Sequence, residues 1–333
     1  MSKPEIEYNI PGRLNIALSV FSVATCLLLL YIATRTSGWQ FWAVGFLFSL
    51  CANTVFSLMH ESVHRVYHPN KRVNEAMGRI AAAIFPTSFT FQRAMHLGHH
   101  RRNRTDVEMF DMYYSDDNLF LKYMQWYGLL TGFYWALIPV ACMAFLVFPW
   151  LLSTTSKQSE NSISIMRTGA AAMLSGLKGY SSTIIRIEVL AATTLHVCLI
   201  ASGFVSWQAW LFCYWMFAVN WGALQYADHA WSPRDIKNGA WNLRVHPLLR
   251  VFFLNYHDHK AHHQNPHVSW IHLPKLVKES DAERPGFFEI YWRMWKGPTL
   301  TTDPPPAPLD SNLDILISKD SFRSSPAKYP KSL

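Results

Sequence analysis

The sequence predicts an all-α integral membrane protein. It has two transmembrane helical hairpins (four spans), a re-entrant or interfacial hairpin, and a cytoplasmic helical cap around a two-metal site. Three observations carry this. Half of the 333 residues are hydrophobic and only 16% are charged, which is low charge for a water-exposed fold. The apolar residues fall in runs near the length that crosses a bilayer. Twelve of the 15 histidines gather in three blocks (60–68, 96–100 and 257–272), each outside those runs.

In chain order, Leu14–Thr34 is the first span. It is joined by a short turn to Phe41–Met59, which holds no charge and runs directly into His60. The segment 61–105 is basic (Arg65, Lys71, Arg72, Arg79, Arg93, Arg101, Arg102, Arg104). The positive-inside rule places it, and hence the N-terminus, on the cytoplasmic side. Trp126–Leu152, Glu188–Phe204 and Trp207–Gln225 are also apolar. If all three crossed, the last histidine block would face away from the first two. Trp126–Leu152 is therefore expected to be re-entrant. Pro139 interrupts it, and basic residues follow it; backbone at membrane depth is tolerated when buried in protein. Ser153–Ser182 reads as a Ser/Thr/Gly-rich cytoplasmic loop. Trp39, Trp126 and Trp207 stand at span ends, as an interfacial belt would. Residues 1–298 are expected to form one domain, because the candidate ligands run from residue 60 to 263. Residues 299–333, with a DPPPAP run, are expected to be a disordered tail.

The five cysteines lie in apolar runs without a CxxC, which excludes a zinc ribbon or a disulfide framework. The net charge of +8 flanks apolar spans, which argues against nucleic acid as a partner. The cluster Arg101, Arg102, Arg104 reads as positive-inside charge or as a dock for a phosphate group or an acidic protein.

The chemistry lies in the histidines. His60 and His64 form HxxxH; His96, His99, His100 and His259, His262, His263 each form HxxHH. On a helix, positions i and i+4 share a face, and in HxxHH the i and i+3 positions share a face with i+4 beside them. Eight imidazoles with no thiolate exceed one structural zinc site and suit two ions of iron, copper, nickel or zinc. Iron is favoured because an oxidising bilayer enzyme must activate O2. His60-Glu61-Ser62-Val63-His64 is also HExxH, the zinc metalloprotease signature. That reading leaves both HxxHH groups unexplained. A metal transporter would place polar ligands at mid-membrane, where these spans are nearly bare. His196, alone in a span, reads as an interhelical hydrogen-bonding residue, and His68, His246, His267 and His272 read as loop or packing residues.

The ordered HxxxH, HxxHH and HxxHH, the paired hairpins and the WxxLP at Trp270–Pro274 resemble the membrane fatty acid desaturase/hydroxylase superfamily. HLGHHRRNRTDVE and NYHDHKAHHQNPHVSWIHLP closely resemble its bacterial fatty acid desaturase branch. The resemblance spans roughly 14–290 and implies a non-haem di-iron centre at the cytoplasmic face of a bacterial inner membrane. It further implies O2 as co-substrate and a fatty acyl substrate. The electron donor would be a separate protein, of ferredoxin or cytochrome b5 type with its reductase, because the chain has no HPGG motif and no cysteine cluster. By position it assigns His60, His64, His96, His99, His100, His259, His262 and His263 as ligands, with His229 as a ninth. Gln225 stands where some relatives place an Asn that supports a bound water. His257 competes with His259, and Asn255, four residues earlier, favours His259. Glu61, Asp106, Glu108, Asp228 and Asp258 are candidates to receive the ligands' outer N–H groups. Desaturation is the expected reaction. A 1-alkene-forming decarboxylase, a hydroxylase and a carotenoid ketolase share the motifs.

Overall fold

The structure is a computed structural model that describes residues 8–148, 176–177, 179–277 and 284–309. Among these, helices dominate. Helix α1 (Gly12–Ala33) and α2 (Gly38–Val63) make the first hairpin; α3 (Lys71–Ile84) and α4 (Phe89–Arg102) follow. Strand β1 (Met112–Tyr113) precedes α5 (Leu119–Thr131) and α6 (Phe133–Val147); α7 (Ser182–Ala201) and α8 (Trp207–Ala227) make a second long pair. Four short helices, α9 (Pro247–Phe253), α10 (His259–Gln264), α11 (Leu273–Leu276) and α12 (Phe287–Met294), lead to β2 (Thr299–Leu300).

Helix starts follow side-chain caps. Asn70 accepts from Arg72 N at 2.9 Å, Ser88 from Phe91 N at 3.0 Å, and Asn118 from Leu121 N at 3.2 Å. Ser88 also donates to Glu188 on α7 at 2.6 Å. On the same helix Arg93 reaches Glu75 of α3 at 2.8 Å and Ser62 O of α2 at 2.9 Å. These contacts fix α4 and its histidines against three neighbours. The core is shared by α2 and α8, with Phe48, Val55, Phe56 and Met59 against Phe217, Ala218 and Trp221.

Among the described residues three helices, α1, α2 and α7, are long and apolar enough to cross a membrane, and the pair α5–α6 counts as a fourth if taken as one span. Helix α8, an expected span, is as long but carries Gln208, Asn220, Gln225 and four tryptophans. Its polar and aromatic content keeps it out of that set. His196 of α7 behaves as expected. Its Nε2–H donates to Ala83 O at 2.9 Å, and its Nδ1 accepts from Trp210 at 3.1 Å.

Four expectations are corrected. The break in Trp126–Leu152 lies at Gly132, not at Pro139, which sits inside α6. Helices α5 and α6 meet there at 95°, with Gly132 at φ +85°, a conformation open to glycine; a Cβ on Gly132 would stand 2.9 Å from that of Ala218. Trp126 is fully buried, its indole donating to Met294 O at 2.6 Å; Trp39 and Trp207 are exposed, as a belt requires. Residues 299–309 lie against the body: β2 pairs in parallel with β1, and Leu309 N donates to Arg101 O at 2.9 Å. The rest of the expected tail, 310–333, and the loop expected at Ser153–Ser182, up to residue 175, fall outside the described residues. Finally, two of the three arginines of the basic cluster are internal, and Arg101 is half-buried. Arg104, fully buried, donates two bonds to Asp111 at 2.7 and 3.0 Å, and Arg102 reaches Glu108 at 3.2 Å.

Candidate metal centre

All nine histidines come together, in two groups. His60, His64, His96, His100 and His262 form one; His99, His229, His259 and His263 form the other. Within each group the nearest ring nitrogens lie within 4.8 Å of one another. The HxxHH motifs divide differently from the face expected for them. Each sends its i and i+4 residues to one group and its i+3 residue to the other. His96 and His100 join the group of five while His99 crosses; His259 and His263 join the group of four while His262 crosses. His257 belongs to neither, so His259 holds the first position of its block.

The elements explain the convergence. His60 ends α2 and His64 caps it; α4 carries the second block. His229 lies just beyond α8, its Nδ1–H donating to Gly239 O at 2.8 Å. The third block rides on α10, which is too short to hold itself. Asn242 accepts from Ala261 N at 3.0 Å, and Leu243 N donates to His257 O at 2.8 Å. Leu254 and Asn255 turn the chain at φ 47° and 56°. Asn255 accepts from Arg250 at 2.7 Å and donates to Trp270 O at 3.1 Å, so its part is to shape that turn.

The donor set fits metal ions. Nε2 atoms approach at 2.8 Å (His64–His96), 3.1 Å (His96–His100), 3.0 Å (His100–His262), and 3.2 Å for both His99–His229 and His259–His263. With metal–nitrogen bonds of about 2.1 Å, neighbouring ligands stand roughly 3.0–3.4 Å apart. Burial, with the neighbouring imidazoles, holds His64, His96, His100, His259 and His263 well below the usual imidazole range, and His262 is lowered to about 3. Each therefore offers a lone pair at neutral pH. Asp228 is a second sign. It is fully buried and neither carboxylate oxygen has a hydrogen-bond partner, an arrangement that a cation beside it relieves.

The other acids divide. Glu108 and Asp228 stand 3.5 Å from His99 and His259 of the group of four. Glu61 instead accepts from Ser269 at 2.7 Å and Trp270 N at 3.0 Å; Asp106 accepts from Arg234 at 2.8 Å and Asp258 from Arg284 at 2.9 Å. Gln225 accepts from Tyr256 OH at 3.0 Å.

A cavity of about 1000 Å³ opens beside both groups. His60, His96, His99 and His229 stand in its wall among Phe56, Met59, Phe110, Leu137 and Trp221. Sequence reading missed two residues here. Tyr256 packs its ring 5.0 Å from His60 and 4.8 Å from His259, between the groups. Asp111 gathers Arg104, Trp231 N at 2.6 Å and Tyr226 OH at 2.8 Å. A lone loop acid gives no signal, whereas Tyr256 lay inside a noted block.

Helices long and apolar enough to span a membrane, two imidazole groups that could hold metal ions and an apolar cavity at their side fit a membrane protein with a metal site. The chain belongs to the fatty acid desaturase family, whose pattern matches residues 37–295. No curated protein matches it. Family and histidine groups together support a membrane oxidoreductase of desaturase or hydroxylase type, with a fatty acyl substrate.

Proposed function

We propose that this protein is a membrane-bound, O2-dependent di-iron oxidoreductase that introduces a double bond into the acyl chain of a fatty acid or fatty acyl derivative. One observation carries the reading: His60 and His96 of the group of five and His99 and His229 of the group of four stand in the wall of an apolar cavity large enough for a drug-sized ligand or longer chain. The nine histidines would hold the two ions. When bound, these would let O2 accept two hydrogens with their electrons from the substrate, two electrons from a donor protein and two protons from solvent, giving an alkene and two waters. The chain's own part is binding and exclusion. The apolar wall takes an acyl chain and keeps bulk water from the reacting carbons. Tyr256 and Gln225, hydrogen-bonded to each other, close it beside the imidazoles. The HExxH protease reading loses its base, because Glu61 is committed to Ser269 and Trp270.

In this reading α1, α2, α7 and α8 span, and α5–α6 is re-entrant. All three histidine blocks then face the cytoplasm of a bacterial inner membrane. A ferredoxin or cytochrome b5 type donor with its reductase supplies electrons from that side.

The test uses anaerobically purified protein loaded with iron, a reducing donor, O2 and acyl chains presented as free acid, thioester or phospholipid. Mass spectrometry of products is expected to find an O2-dependent loss of two hydrogens. A hydroxylated chain or a 1-alkene would reassign the reaction within the same site. Two zinc ions in place of iron, or no O2-dependent product from any substrate, would overturn the reading.

A further inference from the structure

We infer that Glu108 and Asp228 are positioning residues that act on the four-histidine group alone and make the two ion sites unequal. The inference rests on the proposal that each group holds one ion. In the group of four, His99, His229, His259 and His263 turn Nε2 inward. Three of the four outer nitrogens then face acceptors. His99 Nδ1 stands 3.5 Å from Glu108 Oε2, His259 Nδ1 stands 3.5 Å from Asp228 Oδ2, and His229 donates to Gly239 O at 2.8 Å. Arg102 takes only the other oxygen of Glu108, Oε1, at 3.2 Å, which leaves Oε2 for the imidazole. Asp228 makes no competing hydrogen bond, and its other oxygen, Oδ1, stands 3.8 Å from His229 Nε2.

The group of five has no such support. Among the described residues, no carboxylate lies within 4.0 Å of His60, His64, His96, His100 or His262. Glu61, beside His60 in sequence, is turned to Ser269 and Trp270.

A carboxylate accepting the outer N–H fixes the tautomer and ring orientation of a ligand and makes it a stronger donor. One ion is thus held by fewer but more strongly donating imidazoles, two of them carboxylate-supported. The other is held by five imidazoles that rely on number. The four-histidine ion is the one whose retention depends on Glu108 and Asp228, and the one whose more oxidised state they favour.

The test loads the full chain with Co2+, an optical probe of each site, and counts ions per chain by mass spectrometry during a chelator titration. The wild type is expected to bind two. Asp228→Asn and Glu108→Gln are expected to weaken one site about 10–100-fold and leave the other unchanged. The cobalt spectrum that remains should match that of His259→Ala, in which the four-histidine site is broken. Asp228→Glu should restore part of the lost affinity, which a general folding defect would not allow. Wild-type affinity at both sites in Asp228→Asn and Glu108→Gln overturns the inference. So does loss from the five-histidine site, read as a spectrum matching His262→Ala. A wild-type chain that binds fewer than two ions overturns the two-ion proposal itself, whatever the variants do.

Discussion

At the scale of the residue, the site is built from groups that burial makes neutral and groups that burial makes dependent on a partner. His262, lowered to about 3 by burial and by His99, is of the first kind. In the unfolded chain such an imidazole titrates near 6.5, about the model-peptide value. As pH falls below that value the unfolded state takes up protons that the folded state refuses. The stability contribution is present above about 6.5 and lost as pH drops toward the folded value. Metal-free protein should therefore lose thermal stability steadily below about pH 6.5, and melting curves at stepped pH would show it. His262→Ala should abolish turnover and cut metal content, read by mass spectrometry of the purified chain. Asp111 is of the second kind. Burial alone would raise its pKa, but Arg104, with help from Trp231 N and Tyr226 OH, holds the carboxyl below the usual range. Its contribution stays intact above about pH 4 and goes only when pH falls through that lowered value. Asp111→Asn leaves Arg104 buried and unpaired, at a cost of about 3–5 kcal/mol. It should lower the melting temperature and, through the loop that holds Gly239, loosen His229.

At the scale of the element, the fit of α5 onto α8 decides the cavity. Gly222 lets the two approach so closely that a Cβ there would collide with Leu129 O. Overpacking of this kind costs about 1–3 kcal/mol. Gly222→Ala should lower the melting temperature while metal content, set by histidines of which only His229 adjoins α8, stays close to the wild-type level. On α6, Leu137 lines the cavity and is 63% exposed. Leu137→Trp should shift the product spectrum toward shorter chains without changing metal content, measured by chromatography of products from a mixed acyl pool. Gly132 and α10 show why local sequence does not set element boundaries. A break at a left-handed glycine facing Ala218 depends on what packs opposite. A helix of six residues exists because Asn242 and Leu243 hold it.

At the scale of the molecule, the three blocks must emerge on one side of the membrane. With the native cysteines replaced, Arg72→Cys and Lys275→Cys should react with an impermeant maleimide from the same face of sealed vesicles. Ser37→Cys, in the α1–α2 turn, should react from the other. Opposite labelling of the first two would contradict a shared site. The sequence by itself determined which histidines are the candidate ligands and that the chain is helical with apolar helices of membrane-spanning length. Imidazole spacing on a helix and apolar run length are local properties, written in the order of residues. Tertiary structure alone decided how the nine histidines divide five and four, and that i+3 crosses between groups. It also decided that Arg102 and Arg104 are internal props, that Glu61 serves Trp270, and that Glu108 and Asp228 stand behind ligands. Those outcomes depend on which side chains meet in the folded chain, at separations from six residues (Arg102–Glu108) to 208 (Glu61–Ser269), and burial, not sequence order, sets that pairing.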